Sequence, residues 1–263
     1  MEAFLGSGRI SLTILKAPSD LSQIARAGNV TPLGQRLLYG RKLGRGLKSS
    51  RRERLERLLP TLCFPLPDRA AALDPATCFD PPVARVWLEL GFGAGEHLWA
   101  LASRNPAVGF IGAEPFLGGV AALLARFEAK PLPNLKLFPD DARLLLKALT
   151  EASIERLFVL FPDPWPKRRH HRRRLIGPST IADMARALTN GGELRLATDH
   201  GEFARWALAH ILAAPAFDWL AERAADWRAP GPDWPGTRYQ AKAIRAGRRC
   251  LFFRFRRRDR RLG

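Results

Sequence analysis

The sequence predicts an α/β fold built on an open sheet, and three observations predict it. Short apolar runs alternate with segments of helical character from about residue 86 to residue 212. The first run leads straight into a glycine-rich turn, Gly91-Phe92-Gly93-Ala94-Gly95. An acid stands at the end of each of the first three runs: Glu89, Glu114 and Asp141. Ligand sites of open α/β sheets lie at the carboxyl ends of their strands, so these acids fall where a ligand would.

Ahead of the sheet, residues 1–35 read as a flexible N-terminal extension. Their first twenty residues lack a basic segment before an apolar core, so no signal peptide is expected. Residues 36–82 read as a basic arm followed by a short helix and a linker. The stretch from 31 to 57 carries Arg36, Arg41, Lys42, Arg45, Lys48, Arg51, Arg52, Arg54 and Arg57. It suits an arm wrapped on nucleic acid and a solvated tail about equally. From Ser50 a helix is expected, with Leu55, Leu58 and Leu59 on one face and Pro60 near its end. Residues 64–82, rich in Pro, Ala and Asp, read as a linker laid on the domain that fills residues 83–263.

Val86-Trp87-Leu88-Glu89-Leu90 is the first strand, and a helix over 97–102 follows its glycine turn. Strand, glycine turn and helix make a nucleotide-type site, because glycines let backbone amides approach a ligand closely. A dinucleotide site would need G-x-G-x-x-G, with glycine at 96, where Glu96 stands. The pattern is E-x-G-x-G-x-G, which suits a ligand with an ammonium group and no pyrophosphate. A second strand over 108–113 ends at Glu114, placed to accept both hydroxyls of a ribose. A helix over 117–127 and a third strand, Leu135-Lys136-Leu137-Phe138, lead to Asp140-Asp141-Ala142. There an acid can accept from an adenine amino group while the next amide, that of Ala142, reaches the ring. One such acid is an ordinary surface carboxylate. Three in order imply an adenosine with a cationic tail, which is S-adenosylmethionine.

The fourth strand, 157–161, opens the densest stretch of the chain, FPDPWPKRRHHRRRL. Pro162 and Pro164 fix the backbone as it leaves the sheet. Asp163 lies between them and Trp165 just after; Lys167 to Arg174 then follow as an unbroken run of cations and histidines. Alone, a basic run is a solvated helix face and Pro-Asp-Pro a loop. In the order strand, rigid acidic turn, cations, they point to a polyanion held by charge and a planar group handled by carboxylate and ring. For Trp165, base stacking and buried packing both stay open. His170 and His171 read as phosphate or solvent contacts, not acid–base groups.

Further on, a helix over 179–188 ends at Asn190-Gly191-Gly192, a C-cap and turn. A fifth strand over 193–197 leads to Thr198-Asp199 and a helix over 202–212. Residues 217–221 read as a sixth strand. A Trp/Pro/Gly-rich loop precedes the stretch over 237–242, and residues 249–255 form the last strand before a basic tail of Arg256, Arg257, Arg258, Arg260 and Arg261.

Forty-three Lys+Arg against 25 Asp+Glu give a formal charge of +18, in the nucleic-acid-binding range. With 46% hydrophobic residues the chain also buries a full core, unlike a ribosomal protein. Cys63, Cys78 and Cys250 lie far apart without metal spacing, which fits free thiols in a reducing interior. No apolar run reaches the length of a membrane span.

LELGFGAGEHL, FIGAEPF, PDDARLLL, FPDPWPKRRHHRRRL, LATDHGEFA and TRYQAKAIRAG, in this order, resemble the bacterial tRNA (guanine-N7)-methyltransferase family over about residues 36–255. The resemblance implies a seven-stranded, Rossmann-like class I methyltransferase sheet, mostly parallel with an antiparallel last strand. It implies S-adenosylmethionine as donor, no metal, and a cytoplasmic monomer or homodimer. The implied acceptor is N7 of the variable-loop guanine of tRNA, position 46 in the usual tRNA numbering, giving 7-methylguanosine. Carried over by motif, Glu89, Gly91, Glu114, Asp141 and Ala142 would contact the cofactor. Asp163 would be the active-site acid between cofactor and guanine. Lys167, Asp199, Thr237, Arg238, Tyr239 and Gln240 would meet the tRNA. The chain departs from the family at Gln240, where glutamate is usual: glutamine offers one acceptor and a donor, glutamate two acceptors. Two rivals are a methyltransferase with another acceptor, which has no use for the basic blocks at 167–174 and 254–261, and a non-catalytic RNA-binding protein, which keeps those blocks but need not keep Glu89, Glu114, Asp141 and Asp163.

Overall fold

The computed structural model describes residues 47–66, 72–231 and 233–260. The extension expected over 1–35 and the arm's first part, 36–46, lie outside the described residues. Seven strands form one sheet: β1 (Val86–Leu90), β2 (Gly109–Ala113), β3 (Leu135–Phe138), β4 (Ile154–Leu160), β5 (Leu188–Thr198), β6 (Phe217–Trp219) and β7 (Leu251–Arg257). Their order is β3-β2-β1-β4-β5-β7-β6. The first five pair in parallel, and β7 inserts antiparallel between β5 and β6. This is the sheet that the resemblance implies.

Helices cover both faces: α1 (Ser49–Leu62), α2 (Glu96–Arg104), α3 (Leu117–Ala129), α4 (Ala142–Ala148), α5 (Pro178–Ala187), α6 (Gly201–Leu212), α7 (Ala225–Arg228) and α8 (Arg238–Arg245). Because side chains alternate across a strand, each buried strand feeds two cores. Leu88, Leu90, Ile111, Leu157 and Val159 pack with α4, α5 and α6. Trp87, Phe110, Phe158 and Leu160 point the other way, to α1, α2 and α3. The chain reverses its direction of progression across the sheet between β1 and β4, which opens a crevice at their carboxyl ends.

The expected helix from Ser50 is α1; its Leu55, Leu59 and Leu62 are buried. Its Arg54 and Arg57 bond the carboxylate of Glu128 on α3, so these two arm cations are engaged within the protein. The linker is tied to the sheet by Phe64, buried, whose amide donates to Leu137 O at 2.7 Å.

Two expectations are corrected, and one stretch left without an element is placed. Asn190-Gly191-Gly192 does not end α5 and begin a loop. It lies inside β5, where Gly191 at φ +72° makes an irregularity in the pairing with β4. The stretch from Thr237, given no element in the sequence, opens α8. Of the basic tail, Arg261 lies outside the described residues, and Arg257, Arg258 and Arg260 are bound to the protein. Arg258 pairs with Asp218 and Arg260 with Glu151, and the Arg260 guanidinium donates to the carbonyls of Ala185, Arg186 and Leu188 at the end of α5.

Candidate active site

A pocket of about 380 Å³ opens at the carboxyl ends of β1, β2, β3 and β4. It is lined by Gly91 and Gly93 after β1, Glu114 to Phe116 after β2, Asp141 to Arg143 after β3, and Phe161 to Asp163 after β4. Leu90, Leu160, Trp165, Arg173, Leu175 and Tyr239 complete it.

The glycine turn is held in a conformation that side chains resist. Gly91, Gly93 and Gly95 have φ of +77°, +59° and +75°. Gly91 has open space around the position of a Cβ, whereas a Cβ on Gly119 of α3 would lie 2.2 Å from the Gly93 carbonyl oxygen. The turn is thus open toward the pocket and closely packed behind.

Glu114 is 8% exposed and turns back on this loop. Its Oε2 accepts from Gly93 N at 2.8 Å and its Oε1 from Phe116 N at 2.9 Å. Burial pushes its carboxyl up to about 7, against those two amide bonds, with the like charges of Asp163 and Glu89 acting in the same direction. Asp141 caps α4: Oδ1 accepts from Arg143 N at 2.9 Å and Oδ2 from Arg143 Nη1 at 3.0 Å. Ala142, the first residue of α4, lines the pocket beside it.

Glu89 stands elsewhere. It shares its strand face with Trp87, toward α2, and its Oε2 is 2.7 Å from His97 Nδ1, with both side chains buried. The Glu89 carboxylate does not line the pocket.

Asp163 is exposed at the pocket wall, on a turn with two strained residues. Phe161 has φ +50° and Trp165 φ +41°, unusual for side chains of this bulk. Trp165 is half-buried, with the Arg173 guanidinium 4.9 Å from its ring centroid and the His170 ring edge-on at 5.8 Å. The following cations do not act as one block. Lys167, Arg168, Arg169 and Arg172 are exposed, Arg173 lines the pocket, and Arg174 is turned inward and buried.

Of the residues expected to meet tRNA, Tyr239 is 44% exposed and lines the pocket. Thr237 caps α8, its Oγ1 accepting from Gln240 N at 2.9 Å. Gln240 Oε1 accepts from the Trp234 indole at 2.7 Å, a bond that a glutamate oxygen could equally accept. Arg238 is exposed and lies over the Tyr239 ring. Asp199 is paired with Arg248 at 2.7 Å, and Lys167 is exposed at the head of the short 3-10 turn over Arg168–Arg173. Sequence reasoning did not single out Phe116, 41% exposed at the rim, or Arg143. Their signal was position alone: each is two residues beyond an acid already placed in the site.

Among the described residues there is no cluster of metal-ligating side chains, and no helix is long and apolar enough to cross a membrane. The sheet order and the E-x-G-x-G-x-G turn define the class I S-adenosylmethionine-dependent methyltransferases.

The family model described as putative methyltransferase matches residues 83–252. A tRNA (guanine-N(7)-)-methyltransferase of Rhodospirillum rubrum is 48% identical over 224 residues, covering 84% of this chain and 88% of its own length. A protein of the same name from Rhodopseudomonas palustris is 48% identical over 230 residues, covering 88% and 86%. Among solved structures, the 16S rRNA methyltransferase KamB shares the fold, with a TM-score of 0.51 at 17% identity over 67% of this chain and 89% of that one. The chain belongs to the tRNA (guanine-N7)-methyltransferase family.

Proposed function

We propose that the protein transfers the methyl group of S-adenosylmethionine to N7 of a guanine in tRNA, at the variable-loop position. The observation that carries this reading is the convergence of Gly91, Glu114, Asp141 and Asp163 on one pocket, in a chain 48% identical to a tRNA (guanine-N(7)-)-methyltransferase. The residues present fit the cofactor. Glu114 has a buried carboxylate for ribose hydroxyls, Ala142 and Asp141 offer backbone and carboxylate to adenine, and Gly91 leaves room for the tail. Glu89 lies near enough to act by charge on Glu114, and would favour a cationic tail in the same way. S-adenosylmethionine supplies an electrophilic methyl group on a sulfonium.

Guanine N7 carries a free lone pair, so its attack on that methyl needs no general base. The N7–carbon bond forms as the sulfur–carbon bond breaks, and the positive charge passes from sulfur to the purine. What the protein must supply is alignment and a suitable field. Asp163, fixed between two prolines at the pocket wall, sets a negative charge beside the purine as it becomes cationic. Tyr239 and Trp165 offer aromatic faces on which an extruded base can stack.

The test is transfer of labelled methyl from S-adenosylmethionine to unmodified tRNA transcripts, with the variable-loop guanine kept or changed to adenine. Label entering only the guanine transcript, as 7-methylguanine, is the expected result. tRNA binding without transfer, or transfer to both transcripts alike, overturns it.

A further inference from the structure

We infer that Arg174 is a positioning residue that holds the Asp163 turn in its reactive shape, rather than a cation of the RNA-binding run. By sequence Arg174 is the last of that run, and nothing in its position distinguishes it from Arg172 or Arg173. In the structure its side chain is fully buried. Nε donates to Pro164 O at 2.9 Å and Nη2 to Trp165 O at 3.3 Å. On its other side Nη1 and Nη2 meet the two carboxylate oxygens of Glu202, on α6, at 3.2 and 2.5 Å. The guanidinium also lies 4.8 Å from the Trp206 ring centroid and 5.6 Å from that of Phe203.

The turn needs such a support. Pro162, Pro164 and Pro166 contribute no amide donors, so the backbone between 161 and 166 cannot hold itself by a ladder of hydrogen bonds. Phe161 and Trp165 meanwhile sit at positive φ, which persists only where the surroundings impose it. Arg174 supplies donors to the two carbonyls that follow Asp163 and anchors them to α6 through Glu202. Only a planar fork with donors along both edges reaches Glu202 and both carbonyls at once, so lysine is not an equivalent here.

This inference rests on the proposed reading for its rate measurements, and a readout without turnover separates the two. Arg174→Lys keeps the charge and loses the fork; Arg174→Met loses both. For Arg174→Lys, methyl transfer in a single turnover, at saturating tRNA and cofactor, is expected to fall roughly tenfold or more. For Arg174→Met the slope of log tRNA affinity against log salt is expected to stay at the wild-type value, because no phosphate contact is lost. Hydrogen exchange of the peptide over residues 161–175 is expected to quicken in both, whether or not the wild type proves to methylate tRNA. A normal saturated rate in Arg174→Lys, or a salt slope reduced by about one in Arg174→Met, overturns the inference. If Arg174→Met fails to fold, Glu202→Gln serves in its place. It is expected to slow transfer with an unchanged slope, whereas an Arg174 that served RNA would bind it more steeply once released from Glu202.

Discussion

Glu114 shows how burial tunes a single carboxyl at a pocket wall. Its carboxyl ionises only near 7, because burial opposes the charge more than two amide bonds favour it. The unfolded chain ionises this group at the ordinary carboxyl value, so between about 4.5 and about 7 the folded state binds more protons. Its contribution to stability is therefore fully present below 4.5 and declines as pH rises through 7, by on the order of 3 kcal/mol in total. Ribose hydroxyls donate more strongly to the carboxylate, which accepts on both oxygens, than to the acid, which turns one oxygen into a donor, so cofactor binding should expel a proton near neutrality. We expect S-adenosylhomocysteine to bind about tenfold more weakly at pH 6 than at pH 8, with proton release seen calorimetrically in buffers of different ionisation enthalpy. Glu114→Gln should flatten that dependence, and an equally steep profile in the variant would assign it to another group. Asp163 is prepared differently, by exposure on a rigid turn. Asp163→Asn keeps the shape and removes the charge, so saturated single-turnover transfer should fall roughly a hundredfold while tRNA affinity stays within a few-fold. Intact turnover would remove Asp163 from the chemistry.

At the scale of the element, the glycine turn and α3 form one unit. A methyl group at Gly119 would press on the backbone oxygen of Gly93, which cannot yield without moving the amide that holds Glu114. A methyl at Gly91 meets nothing and costs only the left-handed conformation. Gly119→Ala should therefore destabilise by about 1–3 kcal/mol and weaken S-adenosylhomocysteine binding. Gly91→Ala should cost about 1 kcal/mol. Thermal unfolding and calorimetry on both variants would show it, and equal effects would refute the packing argument. Elements of this kind were legible in the sequence where one rule decides them. A short, mainly apolar run between breakers is a buried strand, and β1 and β3 have the expected limits. The Gly191-Gly192 pair was misread because a glycine at positive φ serves a C-cap and a strand irregularity alike, and only the partner strand decides between them. Thr237-x-x-Gln240 carried an N-cap signature for α8 that went unused, and its Oγ1 bond to Gln240 N is that signature fulfilled. The site was legible as three acids after three strands. Where Glu89 points was not, since that depends on the strand face and on His97 eight residues away.

Across the whole molecule, the formal charge of +18 is not a uniform coat. Arg54 and Arg57 bind Glu128, Arg195 and Arg156 bind Asp233, Arg254 binds Glu193, and Arg260 holds Glu151 and the carbonyl end of α5. These arginines join segments distant in the chain and lend little field to a partner. Lys167, Arg168, Arg169 and Arg172, exposed beside the pocket, are of the other kind. Composition alone counts both kinds as nucleic-acid-binding charge, which is why the basic tail was misjudged. The distinction predicts two separable phenotypes. Binding of tRNA should weaken steeply with salt, and Arg168→Gln should lower the magnitude of the log–log slope by about one while leaving the melting temperature unchanged. Arg260→Gln should leave the slope unchanged and lower stability by about 1–2 kcal/mol, since it strips donors from three carbonyls at a helix end. Filter binding across a salt series and thermal unfolding on the same two proteins suffice. If Arg260→Gln shifts the slope and Arg168→Gln the melting temperature, the division between binding charge and structural charge is drawn in the wrong place.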